Sequence, residues 1–250
     1  MEMWSYKLVH DAMFAPNPLF DVLTLATCKP MIRKSPNNKK GMWIAGFTAC
    51  TTHNSRVFGG GITRYKRYEE KLIYLAQISE IISLDDYWEQ YPQKRCVGAG
   101  TDNIQDARWY GDNIYNGNNT DGNVIPKDNN GGHSGSEAVR RDYLYGKNAI
   151  ICKRFYYFTP DNRMDVPDRF KHLVHGAKGQ SLKSDKKSDK VEEFIAYVAD
   201  YAAKKGVQNG IVGKIPVYYP EVFATDENEF PLHVVNENTK STCKKKGCSR

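Results

Sequence analysis

No stretch of the chain approaches the roughly 18 consecutive apolar residues of a membrane-spanning helix. A helical membrane protein is thereby excluded, and no membrane partner is expected. Cysteine is sparse: Cys28, Cys50, Cys96, Cys152, Cys243 and Cys248 are scattered over 250 residues. The opening stretch MEMWSYKLVHDAMF carries Glu2 and Asp11 and has no apolar signal core. Without a secretory signal, scattered thiols stay reduced, so a cytoplasmic location is expected rather than a disulfide framework. Four residues separate Cys243 from Cys248 with no second pair nearby, a poor zinc spacing, and no metal is expected. A P-loop, a Gly-x-Ser-x-Gly nucleophile elbow and a zinc ribbon are also missing. The glycines of GGGITRY at 59–65 do not sit between a strand and a helix, so they do not read as a dinucleotide site, and no cofactor is expected.

What the chain does have is positive charge and aromatic rings. Lys and Arg number 36 against 29 Asp and Glu, a formal net charge of +7 that favours a polyanionic partner. Sixteen Tyr, ten Phe and four Trp supply core volume first, and stacking faces for bases second.

Short apolar runs at 4–10, 21–27, 42–50, 71–83 and 149–158 predict strands. Ser83, followed by Asp85 and Asp86, predicts a helix start carrying Tyr87 and Trp88. Residues 51–70 and 98–136 are polar and rich in glycine, asparagine or aspartate, and predict loops; one that long is often functional. Val191, Phe194, Ile195, Val198, Ala199 and Ala202 form one apolar stripe at helical spacing, closed by Gly206. This order gives an α/β (α+β) chain: a mixed, mostly antiparallel sheet or a small β-barrel decorated by helices. The expected organisation is a core over 1–175, a polar linker over 176–190, a helical extension over 191–240 and a basic tail over 241–250.

Four clusters can carry chemistry. In the first, Asp11 lies where a strand gives way to the Pro-rich loop containing Asn17, as an Asx turn or as a carboxylate at a pocket rim. In the second, Lys29, Arg33 and Lys34 either contact phosphates or form a solvated face. In the third, Asp112 and Asn113 stand between Tyr110 and Tyr115, offering acceptor, donor and stacking groups to an extruded base, or simply a turn with packed rings. In the fourth, His133 is a candidate acid or base, followed by Arg140, Arg141 and Asp142.

DAMFAPNPLFDVLTLATCKPMIRKS, GMWIAGFT, KLIYLAQISEIISLDDYW, YGDNIY and KNAIICKRFYYF, in that order, resemble the nucleotide modification associated domain family, in particular its second type. Gly41-Met42 departs from the Gly-Asp of that pattern, which removes an acid there. The resemblance implies systems that make, recognise or attack modified DNA bases in bacteria and phages, and a barrel similar to PUA-like domains, whose relatives seat flipped bases in aromatic pockets. It points to DNA carrying modified bases as the partner and to a DNA glycosylase of anti-phage defence. On that reading Asp11 or Asp112 stabilises the sugar cation, and His133 or Asn113 assists the departing base. Trp43, Tyr110 and Tyr115 form the pocket wall, while Lys29, Arg33, Arg140 and Arg141 hold phosphates. A non-catalytic reader of modified bases and an RNA-binding barrel are the alternatives.

Overall fold

The computed structural model describes residues 1–8, 10–11, 13–49, 53–56, 62–65, 70–95, 111–116, 133, 136–174, 180–185 and 189–215. In chain order these form β1 (Glu2–Leu8), β2 (His10–Asp11), β3 (Leu23–Leu25), α1 (Pro30–Arg33), β4 (Trp43–Thr48), β5 (His53–Arg56) and β6 (Ile62–Tyr65). Next come β7 (Lys71–Gln77), β8 (Glu80–Ser83), α2 (Leu84–Gln90) and α3 (Ser136–Val139), which runs into a π-helical segment, Arg140–Tyr145. The remainder is β9 (Asn148–Cys152), β10 (Arg154–Phe158), β11 (Met164–Asp165), β12 (Gln180–Ser184), α4 (Val191–Ala203) and β13 (Gly210–Val212). No helix among the described residues is long and apolar enough to cross a membrane.

The main sheet runs β12-β1-β4-β7-β10-β13, with β11 also on β7. The β1–β4 and β10–β13 pairs are parallel, and the other pairs are antiparallel. This is the mixed, mostly antiparallel sheet expected. It does not close into the alternative barrel, because β12 and β13 remain its two separate edges.

Side chains alternate across this sheet. On one face Met3, Trp43, Phe47, Leu75 and Phe158 meet Val191, Phe194, Ile195 and Val198 of α4, so the helical stripe read from the sequence buries itself here. On the other face Tyr6, Leu8, Ile44, Tyr74 and Tyr157 pack against Leu23, Leu25 and Ile150 of a second sheet, β3-β9-β8. Beyond that sheet Leu84, Tyr87, Ile114, Tyr115, Val139 and Ile151 form a third apolar layer under α2 and α3. The candidate site lies on this side of the main sheet.

Two expected strands are each split. The run 71–83 breaks between β7 and β8, and the run 149–158 breaks at Lys153. The breaks are side by side: Ser79 N donates to the Ile151 carbonyl at 2.8 Å and Lys153 N to Ser79 Oγ at 2.9 Å. Both chains thus step together from the main sheet into the second one. Within 51–70, expected as a loop, β5 and β6 pair antiparallel and β5 adds in parallel to β2. Ser83 caps α2 as expected, its Oγ accepting from Asp86 N at 3.0 Å.

Candidate active site

β3 ends at Leu25, and the chain then turns sharply into α1, which begins at Pro30. The turn is made by Cys28 and Lys29, both left-handed, at φ 53° and 42°. Neither is glycine, so each costs on the order of 1–2 kcal/mol of backbone strain. Strain of this kind persists where surrounding structure holds it, and here the holder is Arg33. Its buried guanidinium donates from Nε to the Cys28 carbonyl at 2.7 Å, from Nη1 to the Asn148 carbonyl at 2.8 Å and from Nη2 to the Asp142 carbonyl at 2.8 Å. One side chain therefore ties the Cys28 turn to the π-helical segment and to β9.

Across that tie stand two more groups. His133 Nε2 lies 3.4 Å from Cys28 Sγ, and His133 Nδ1 lies 2.6 Å from Asp142 Oδ2. Cys28 is partly exposed, while His133 and Asp142 are buried. A thiol, an imidazole and a carboxylate in line form the relay that activates cysteine nucleophiles. Phe14 packs on the imidazole with ring centroids 5.0 Å apart. Arg141 donates to both carboxylate oxygens of Asp142, from Nε at 3.0 Å and from Nη2 at 2.8 Å. Tyr115 Oη lies 3.0 Å from the His133 carbonyl oxygen and 3.2 Å from Asp142 Oδ2.

The electrostatics agree with the geometry. Burial opposes ionisation of the Cys28 thiol, but the His133 hydrogen bond and charge, with Arg141, bring it below its ordinary value. Burial likewise opposes the charged form of His133, yet Asp142 and Cys28 raise it to about 9. Asp142 would be raised by burial, but hydrogen bonds from His133 and Arg141 hold it well below the usual carboxylate range. The shifts are reciprocal, Cys28 downward and His133 upward, so each group favours the charged form of the other. The short Nδ1–Asp142 contact takes the Nδ1 proton, so Arg141 Nη2, 3.2 Å from Nδ1, acts there as a neighbouring charge rather than a donor.

The residues singled out in the sequence divide into three groups. His133 and Arg141 are in this cluster, with Tyr115 and Arg33 behind it as buried supports. Lys29 adjoins it, with Nζ 4.9 Å from the Tyr6 ring centroid, and Arg140 is exposed on the π-helical segment. The rest serve elsewhere. Asp11 is buried and accepts from Tyr157 Oη and from Arg163. Asp112 is buried and accepts from Tyr87 Oη at 2.6 Å and Thr24 Oγ1 at 2.8 Å. Beside it Lys94 Nζ donates to the Asn17 carbonyl at 3.0 Å, Asn17 Oδ1 at 2.9 Å, the Val22 carbonyl at 2.7 Å and Thr24 Oγ1 at 3.0 Å. Burial lowers that ammonium to about 8 against the opposing charge of Asp112. Asn113 donates to the Tyr87 carbonyl at 2.9 Å and the Tyr91 carbonyl at 3.0 Å, closing the end of α2. Trp43 is buried under α4 on the opposite face of the main sheet. Tyr110 lies outside the described residues.

Sequence reasoning passed over Cys28 and Asp142 as chemical groups. The available signals were a cysteine between an apolar run and a Pro-initiated helix, and an aspartate directly after two arginines.

No curated protein and no solved structure matches the chain. A family model described as nucleotide modification associated domain 2 matches residues 1–211, a span that contains every residue of the cluster. The chain belongs to the nucleotide modification associated domain 2 family, and with it to the systems that modify nucleotides and bases.

Proposed function

We propose that the protein is a thiol-dependent enzyme of nucleotide modification, in which Cys28 forms a transient covalent bond with an electrophilic carbon of the substrate nucleotide. The observation that supports this most is the Cys28–His133–Asp142 line, 3.4 Å and 2.6 Å between successive polar atoms. In the proposed step the Cys28 thiolate gives its electron pair to the carbon. The imidazolium of His133 then passes its Nε2 proton to the group on which negative charge develops, and becomes neutral. Asp142 keeps the ring oriented and stabilises its charged form. Arg141, part-exposed beside the pair, provides the cation for a phosphate or a developing anion.

Base excision from DNA, the finer chemistry suggested by the family resemblance, needs a carboxylate facing a sugar. Asp11 is paired with Arg163 and Asp112 is held in the core by Tyr87 and Thr24, which favours the thiolate as the reacting group. One experiment separates the two. The protein is incubated with free nucleotides and with plain and modified DNA, quenched rapidly in denaturant, and examined by peptide mass and for released base. A substrate-dependent mass increase on the Cys28 peptide, absent in Cys28→Ala, is the expected result. Base release at full rate by Cys28→Ala and its loss in Asp112→Asn would restore the carboxylate mechanism and overturn the proposal.

A further inference from the structure

The π-helical segment has a second face. Asp142 turns inward to Arg33, His133 and Arg141, while Arg140, Arg141, Leu144 and Tyr145 point outward. Leu144 is 58% exposed and Tyr145 45%, and from α1 the 52% exposed side chain of Met31 joins them. Among the described residues these are some of the few large apolar side chains left in solvent, and Tyr145 Oη donates to Met31 Sδ at 3.2 Å. Lys34 Nζ sits 3.2 Å from the centroid of the Tyr145 ring. The acid of this segment, Asp142, contributes no surface charge because it is buried and paired; Glu137 is exposed on α3, three residues before Arg140. The result is an aromatic and aliphatic platform carrying Lys34, Arg140 and Arg141. Arg141 belongs to this platform and to the catalytic line at once.

An exposed ring beside apolar side chains and cations suits neither a protein core nor a neutral partner. A base stacks on the ring and the apolar side chains, while the cations follow the phosphates. A free nucleotide needs one phosphate site, but this surface continues from Arg141 outward over α1 and the π-helical segment. We propose that it is the track for a single-stranded polynucleotide, so that the nucleotide delivered to Cys28 is part of a strand rather than a free precursor. This rests on the reading of Cys28 as the reacting group, but its test does not need turnover.

The test measures fluorescence anisotropy of a labelled single-stranded oligodeoxynucleotide, at several salt concentrations, with the full chain. Tyr145→Ala should weaken binding by about tenfold, the loss of one stacked base. Arg140→Glu should weaken it and lower the dependence on salt, since fewer counterions are released. Lys205→Glu, an equal change of charge on the α4 side, should leave binding as it is. Equal affinity of all three variants and the parent would overturn the proposal. So would tighter binding of duplex than of single strand, or a Cys28 adduct that forms with mononucleotides while no strand binds. Strand binding that Tyr145→Ala weakens, with no Cys28 adduct on any substrate, would uphold the track and sink the catalytic reading instead.

Discussion

The chemistry of Cys28 depends on what surrounds Asp142. This carboxylate is fully buried and holds His133, Arg141 and Arg33 together. Replacing it by Asn leaves three cationic groups without their counter-charge. The expected cost to Asp142→Asn is about 3–5 kcal/mol of unfolding free energy, read by chemical denaturation, together with a His133 pKa returning toward its ordinary value, read by NMR titration. An unchanged His133 titration would show that Asp142 is not its partner. The sequence made His133 visible because histidine is a conspicuous acid–base group in a polar loop. It did not make Asp142 visible, because an acid beside two arginines reads as a solvated charge cluster until folding shows one of the three turned inward. Asp11 and Asp112 drew notice for the opposite reason. Short carboxylates in turn-like segments look available, and only the structure reveals Arg163 on one and Tyr87 with Thr24 on the other.

At the level of elements, the site is made by α1 and the π-helical segment meeting over Arg33. Their approach leaves no room at Gly146: a Cβ there would stand 2.3 Å from Arg33 Nη2 and 2.5 Å from the Asp142 carbonyl oxygen. Gly146→Ala must therefore displace the guanidinium that fixes the Cys28 turn. A loss of about 1–3 kcal/mol is expected by thermal unfolding, with slower alkylation of Cys28 in the folded protein. Stability and alkylation rate both equal to the parent would mean that Arg33 does not couple the two elements. The strands were legible as apolar runs and α4 as a stripe. The switch of β7–β8 and β9–β10 between two sheets was not, since alternation continues through a step that only tertiary hydrogen bonds reveal. The pairing of β5 with β6 was hidden for a related reason: HNSR and ITRY show no apolar face to betray a strand.

For the molecule as a whole, the coupled pair leaves a signature in the dependence of stability on pH. Between about 6.5 and 8.5 the unfolded chain has a neutral His133 and a protonated Cys28, one proton between them. In the folded chain His133 is raised and Cys28 lowered, so their contributions to the slope have opposite signs and offset one another. Cys28→Ala removes the Cys28 contribution. His133, still raised by Asp142, then binds a proton that the unfolded chain has released, and stability should fall as pH rises above about 6.5. Lys94, lowered to about 8, acts with the opposite sign and only above that value, where the folded state gives up its proton first and stability rises with pH. Melting temperatures of parent and Cys28→Ala between pH 6.5 and pH 8 should diverge, and parallel curves would contradict the pairing.

The most direct measurement of the central claim is the rate of Cys28 alkylation by iodoacetamide as a function of pH, read by peptide mass in the parent and in His133→Asn. Cys152, buried and with its thiol pushed well up, is the internal reference for an unactivated cysteine. The account predicts a parent rate that levels off below the ordinary thiol range and a His133→Asn profile shifted upward into it. Identical profiles rising near the ordinary thiol pKa of about 8.5 would contradict it.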